Sequence, residues 1–84
     1  MASKVSVNVW VPGLNTSENF LVPSDMSVSD VTAMVVKILT DEYPQAVQER
    51  KAHMLLQRSS GKALNIHCSL KQLQIINGEE LILM

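Results

Sequence analysis

Ile75-Ile76-Asn77-Gly78-Glu79-Glu80-Leu81-Ile82-Leu83-Met84 is the stretch that decides how the rest of the chain is read. Asn77-Gly78 supplies the positive φ of a tight turn. Leu81 to Met84 then reads as an apolar strand that runs to the last residue. The expectation is a terminal strand with no flexible tail behind it.

Working outward, the other end of the sequence is also a strand. Val5, Val7, Val9 and Val11 alternate with Ser6, Asn8 and Trp10, a period of two in β-branched residues. Pro12-Gly13 ends it, and Leu14-Asn15-Thr16-Ser17 reads as turn. Glu18 to Val22 is a second strand with Phe20 and Val22 inward, and Pro23 closes it because proline cannot donate to a ladder. Ser27 is a good N-cap for a following helix, with Asp30 three residues on. Val28, Val31, Val35, Ile38 and Leu39 share one face of that helix, while Ser29, Thr32 and Lys37 point away. The helix is expected to finish by Thr40, before Asp41 and Glu42 reach the negative end of its dipole. Its many β-branched residues lower intrinsic helicity, so packing on a sheet must hold it.

Residues 44–51 are expected to form one helical turn opened by Pro44. A third strand over 52–58 places Ala52, Met54 and Leu56 on one side and His53, Leu55 and Gln57 on the other. Ser59-Ser60-Gly61-Lys62 is a turn, and Ala63 to His67 a short fourth strand. Ser69 to Leu73 is a helical turn leading into Ile75. The order β-β-α-β-β-β, within 84 residues and without repeats or linkers, predicts one α+β domain over 1–84 with the helix across one face of a mixed sheet.

Composition narrows the function. The formal charge is −1, no basic block is present and aromatic residues are 4%, which does not imply a nucleic-acid partner. The single Cys68 excludes an internal disulfide and fits a reducing compartment. No apolar run is long enough to span a membrane, and residues 1–11 lack a signal-peptide core. The expected location is the cytoplasm. His53, His67 and Cys68 are the only plausible metal-binding or nucleophilic residues. Adjacent His67 and Cys68 point to opposite faces of a strand, and no metal-ligand spacing links them to His53. Asp25 and Asp30 are turn and cap residues, and Ser59-Ser60-Gly61-Lys62 lacks phosphate-loop spacing. The expectation is a non-enzyme with no cofactor and no metal.

The element order is that of the β-grasp, or ubiquitin-like, fold, and several segments resemble ubiquitin-like proteins directly. Val22-Pro23-Ser24-Asp25 looks like that family's approach to its helix, and Ser69-Leu70-Lys71-Gln72-Leu73-Gln74-Ile75 like its "T-L-x-x-Y-x-I" turn. Asn77-Gly78-Glu79-Glu80-Leu81-Ile82-Leu83 is similar to the ending of the bacterial YukD/EsaB proteins. Phe20-Leu21-Val22-Pro23 and the helix residues Val31, Met34, Val35, Ile38 and Leu39 also resemble that branch. Its members are cytosolic ubiquitin-like components of type VII (WXG100) secretion systems. Related domains form the cytoplasmic N-terminus of a membrane subunit of such machines. The resemblance thus implies an accessory or regulatory secretion protein that docks on that machinery.

Two other readings are an autonomous adaptor that binds a cytosolic enzyme, and a protein modifier or sulfur carrier. The last needs a terminal Gly-Gly, whereas Gly13, Gly61 and Gly78 all fall in turns. In the β-grasp strand order 2-1-5-3, the alternation puts Trp10, Leu55, Ile82 and Met84 on the sheet face away from the helix. Leu14 and Leu21 flank them, and His53 is a polar neighbour. Contiguous exposed apolar side chains mark contact sites, and tryptophan suits an anchor. The expected interaction residues are Trp10, Leu14, His53, Leu55, Ile82 and Met84. A two-fold homodimer through the same face is compatible with them.

Overall fold

The computed structural model describes residues 3–43 and 53–84. The helical turn expected over 44–51, and Ala52, lie outside the described residues.

Strand β1 (Lys4–Val11) pairs antiparallel with β2 (Thr16–Pro23) over all eight residues, with Val5 opposite Val22 and Val11 opposite Thr16. A single 3-10 turn, Pro12–Leu14, joins them, and Asn15 takes the left-handed conformation at φ 52°. This tight connection lets β2 begin at Thr16, two residues before the alternation suggested. Helix α1 (Val28–Glu42) follows. Its N-cap is Ser27, whose Oγ accepts from the Asp30 N–H at 3.2 Å, as the sequence predicts.

The helix continues past Thr40 to Glu42, and the Tyr43 N–H closes its last turn on the Leu39 carbonyl at 2.7 Å. Buried Leu39 anchors that turn, and a dipole penalty of about 0.3–1 kcal/mol does not outweigh it. The buried stripe is Val28, Val31, Thr32, Val35 and Leu39, so two side chains differ from expectation. Thr32 is inside because its Oγ1 donates to the Val28 carbonyl at 2.8 Å, which satisfies the hydroxyl within the helix. Ile38 instead lies at the exposed edge of the stripe.

Strand β3 (Leu55–Gln57) and strand β4 (Glu79–Leu83) complete a four-stranded mixed sheet in the order β2-β1-β4-β3. The last strand runs parallel to β1 in the middle, the arrangement expected for a β-grasp. Gly78 supplies the turn before it at φ 86°, and the Asn77 Oδ1 ties that turn to β1 by accepting from the Ser6 N–H at 2.8 Å. Residues 63–67 do not form a strand. Only Ala63 bridges to Leu56, and the chain then turns so that the Ile66 and Cys68 carbonyls accept from the Ser29 and Val28 N–H groups. These carbonyls serve the first turn of α1, which needs acceptors more than the sheet needs another strand. Between Ser69 and Gln72, each side chain accepts from the other's backbone N–H, a reciprocal capping pair that fixes the predicted turn.

The core lies between α1 and one sheet face. Val5, Val7, Val9, Val11, Phe20, Val22, Leu55, Leu81 and Leu83 meet the buried stripe of the helix, with Leu70 and Ile75 filling one end. Among the described residues, no helix is long and apolar enough to cross a membrane.

Candidate protein-interaction face

Because α1 covers one face of the sheet, the even-numbered residues of β1 and β4 project from the other. Trp10 stands beside Ile82 in the parallel register, and Ile82 stands opposite Leu56 on β3. Three strands thus contribute one apolar row, Trp10–Ile82–Leu56, each side chain half-buried. Beside it, Met54 and Met84 exchange both backbone hydrogen bonds, at 3.2 and 3.0 Å, and their side chains are 49% and 51% exposed. The row thus runs across β1, β4 and β3 on the face opposite the helix.

Polar groups border it on the other side. Arg58 and Glu80 approach at 3.7 Å, each about half exposed, a pair worth little to stability but able to orient a partner. The Asn8 side-chain amide donates to the Asn19 Oδ1 at 3.0 Å across β1 and β2. Leu21 extends the face towards the β2 edge and is 64% exposed.

Trp10, Ile82 and Met84 are therefore placed together where the alternation put them. Three expected residues are not. Leu55 is 1% exposed and belongs to the core, because it pairs with inward Leu83. The phase of β3 is one residue off the expectation, which also moves Met54 and Leu56 from the core side to the open face. Leu14 is partly buried against the core from the 3-10 turn. His53 shares the phase of Leu55, and it lines a groove on the helix side with Ser29, Ala33, Lys37 and Ile66. Leu56 and Met54 were missed because Met54-Leu55-Leu56 is apolar in both phases. Gln57 shares the inward phase of Leu55, so its polarity favours the other phase; the structure accommodates it there because its Nε2 donates to the Glu79 Oε2 at 3.2 Å across the neighbouring strand.

One electrostatic feature lies elsewhere. On the helix side of β2, the Glu18 Oε2 is buried without a hydrogen-bond partner. Burial first, and then the Glu42 carboxyl at the end of α1, push the Glu18 carboxyl above its usual range. Among the described residues, no three or more His, Cys, Asp or Glu side chains converge as a metal site would require.

No protein-family model and no curated protein matches the chain. Solved structures do. The EccD5 ubiquitin-like domain from Mycobacterium xenopi superposes with a TM-score of 0.82 at 17% identity, covering 98% of this chain and 93% of that one. A chain of the MycP5-free ESX-5 inner membrane complex matches with a TM-score of 0.79 at 21% identity, over 96% of this chain but 20% of that longer one. The ubiquitin-like domain of the Mycobacterium tuberculosis type VII secretion system protein ECCD1 matches with a TM-score of 0.64 at 14% identity, over 98% of both chains. Ubiquitin from Caldiarchaeum subterraneum is also similar. With its helix across a mixed sheet of order β2-β1-β4-β3, the chain has the ubiquitin-like β-grasp fold.

Proposed function

We propose that this chain is a non-catalytic, cytoplasmic docking component of a type VII secretion machine, using its open sheet face to bind a cytoplasmic region of a membrane subunit. The observation that carries the reading is the Trp10–Ile82–Leu56 row with Met54 and Met84 beside it. It puts several large apolar side chains on the one sheet face that the helix leaves open. Such a patch gives a partner desolvated anchors at its centre, while Arg58, Glu80 and Asn8 at its margin set orientation. The machine is suggested by the sequence resemblance and by the similar structures, a chain of an inner membrane complex and a domain of a type VII secretion protein among them.

The test is affinity capture from detergent-solubilised native membranes, wild type beside Trp10→Thr/Ile82→Thr, with circular dichroism confirming that both fold. Threonine keeps strand propensity while removing the anchors. Loss of an anchor at the centre of an interface costs about 2 kcal/mol or more, a weakening of roughly thirtyfold per residue. Wild type should recover a type VII membrane subunit and the double variant should not. Equal recovery by both would move the site away from this face. Recovery of a cytosolic enzyme alone would replace the secretion reading with that of an autonomous adaptor.

A further inference from the structure

The two edges of the sheet are treated differently. On β3, three of the four outward backbone groups of Leu55 and Gln57 are engaged: the Leu55 carbonyl accepts from Leu64, the Gln57 N–H donates to the Lys62 carbonyl, and the Gln57 carbonyl accepts from Gly61. On β2 they are open. The Ser24 N–H bonds to the Ser3 carbonyl at 2.7 Å, which sets the alternation of the antiparallel ladder. Val22, Phe20, Glu18 and Thr16 therefore bond inward to β1, and Ser17, Asn19 and Leu21 aim their N–H and C=O groups outward. Among the described residues, no hydrogen bond outside the ladder reaches those outward groups.

Edge strands are ordinarily blunted by shortness, bulges, lysines or proline. β2 is eight residues long, its register with β1 is unbroken, it has no lysine or arginine, and its proline is its last residue. Its one charge, Glu18, lies on the helix side.

From this we infer that β2 is a self-pairing edge, joining two copies of this chain through antiparallel β2–β2 contact centred on Asn19. A second copy fits because the outward groups are symmetric about that residue. Asn19 faces its own counterpart, and Ser17 faces Leu21 of the other copy, so each outward N–H of these three residues meets an outward carbonyl. Pro23, which has no N–H, ends the ladder. No charged side chain lies on the outward row, and each Glu18 falls opposite a Phe20 rather than the other Glu18. The Asn19 Oδ1 already accepts from Asn8, and its amide nitrogen remains available for the partner copy's Asn19 oxygen.

The two-fold axis of such a pair is perpendicular to the sheet. Both helices then lie on one side and both open faces on the other, giving two Trp10–Ile82–Leu56 patches on a continuous sheet. The inference stands independently of the proposed docking partner, since the open face stays accessible in the pair.

Charge substitution at the axis tests it by sedimentation velocity across a concentration series. Wild type should dimerise as concentration rises. Asn19→Lys and Asn19→Glu alone should each weaken dimerisation at least tenfold, since like charges then face each other directly. An equimolar mixture of the two should restore a heterodimer. Should either variant fail to fold, Leu21→Lys, at an exposed position, takes its place and should likewise weaken self-association. Wild type remaining monomeric up to millimolar concentration would overturn the inference and leave this edge for a strand from another protein. A dimer that persists in Asn19→Lys and is lost in Ile82→Thr would overturn it in favour of pairing through the open face.

Discussion

Exchanging which of two adjacent leucines is truncated gives a sharp test of the sheet. Leu55 and Leu56 are neighbours in β3, but Leu55 is 1% exposed and pairs with inward Leu83, whereas Leu56 is half-buried opposite Ile82 on the open face. Leu55→Ala removes core packing from a layer that includes Val9, Leu39, Leu81 and Leu83. Such truncations cost about 2–5 kcal/mol, the spread reflecting how far the site can collapse. A domain of this size has roughly 4–13 kcal/mol of stability in all, so a large share would be lost. Leu56→Ala removes a side chain that water already reaches, and should cost about 1 kcal/mol or less. Urea denaturation followed by far-ultraviolet circular dichroism reads the difference. With a slope of about 1–1.5 kcal/mol/M, the Leu55→Ala midpoint should fall by at least roughly 1.3 M and that of Leu56→Ala by less than about 1 M. Equal losses, or a greater loss for Leu56→Ala, would refute the β3 register and return Leu55 to the open face.

Three further substitutions probe the buried carboxyl, the helix cap and the turn before β4. Glu18→Gln should raise the melting temperature at neutral pH, because the Glu18 carboxyl is pushed up by burial and by Glu42. A raised folded-state pKa means that ionisation costs stability above it and that this loss is recovered as pH falls through it, so the wild-type advantage of mild acid should shrink in the variant. Ser27→Ala should cost about 1 kcal/mol in denaturant titration by freeing the Asp30 N–H from its cap. Gly78→Ala should cost about 1–2 kcal/mol by the same measurement. A Cβ at φ 86° is strained there, and nothing within 4 Å of its position would supply a compensating contact.

Most of the scaffold was legible because local signals agreed with one another. The valine alternation of β1, the Ser27 cap, the glycine turn before β4 and the element order all point to one topology. Signals failed where two readings shared the same chemistry. Met54-Leu55-Leu56 satisfies either strand phase, so only the pairing with β4 selects Leu55 as the buried one. Ala63 to His67 had strand-like composition, but its carbonyls are used by the start of α1. The end of the helix was misjudged because the dipole argument weighs tenths of a kilocalorie, while burial of Leu39 weighs several times as much. At the candidate site, Trp10, Ile82 and Met84 followed from alternation alone. Leu14 and His53 did not belong there, since one sits in a 3-10 turn against the core and the other shares the inward phase of Leu55.

The measurement that tests the central claim most directly is a titration of the isotope-labelled chain with the purified cytoplasmic region of a type VII membrane subunit, followed by nuclear magnetic resonance. The chain has one tryptophan, so the Trp10 indole N–H is a single assigned-by-composition probe, with the methyl groups of Met54, Leu56, Ile82 and Met84 around it. Saturable shifts are expected on those five residues, with Leu39, Val31 and the exposed helix positions Ser29 and Lys37 unchanged. Shifts centred on α1, or none at concentrations that saturate the membrane subunit, would contradict that claim.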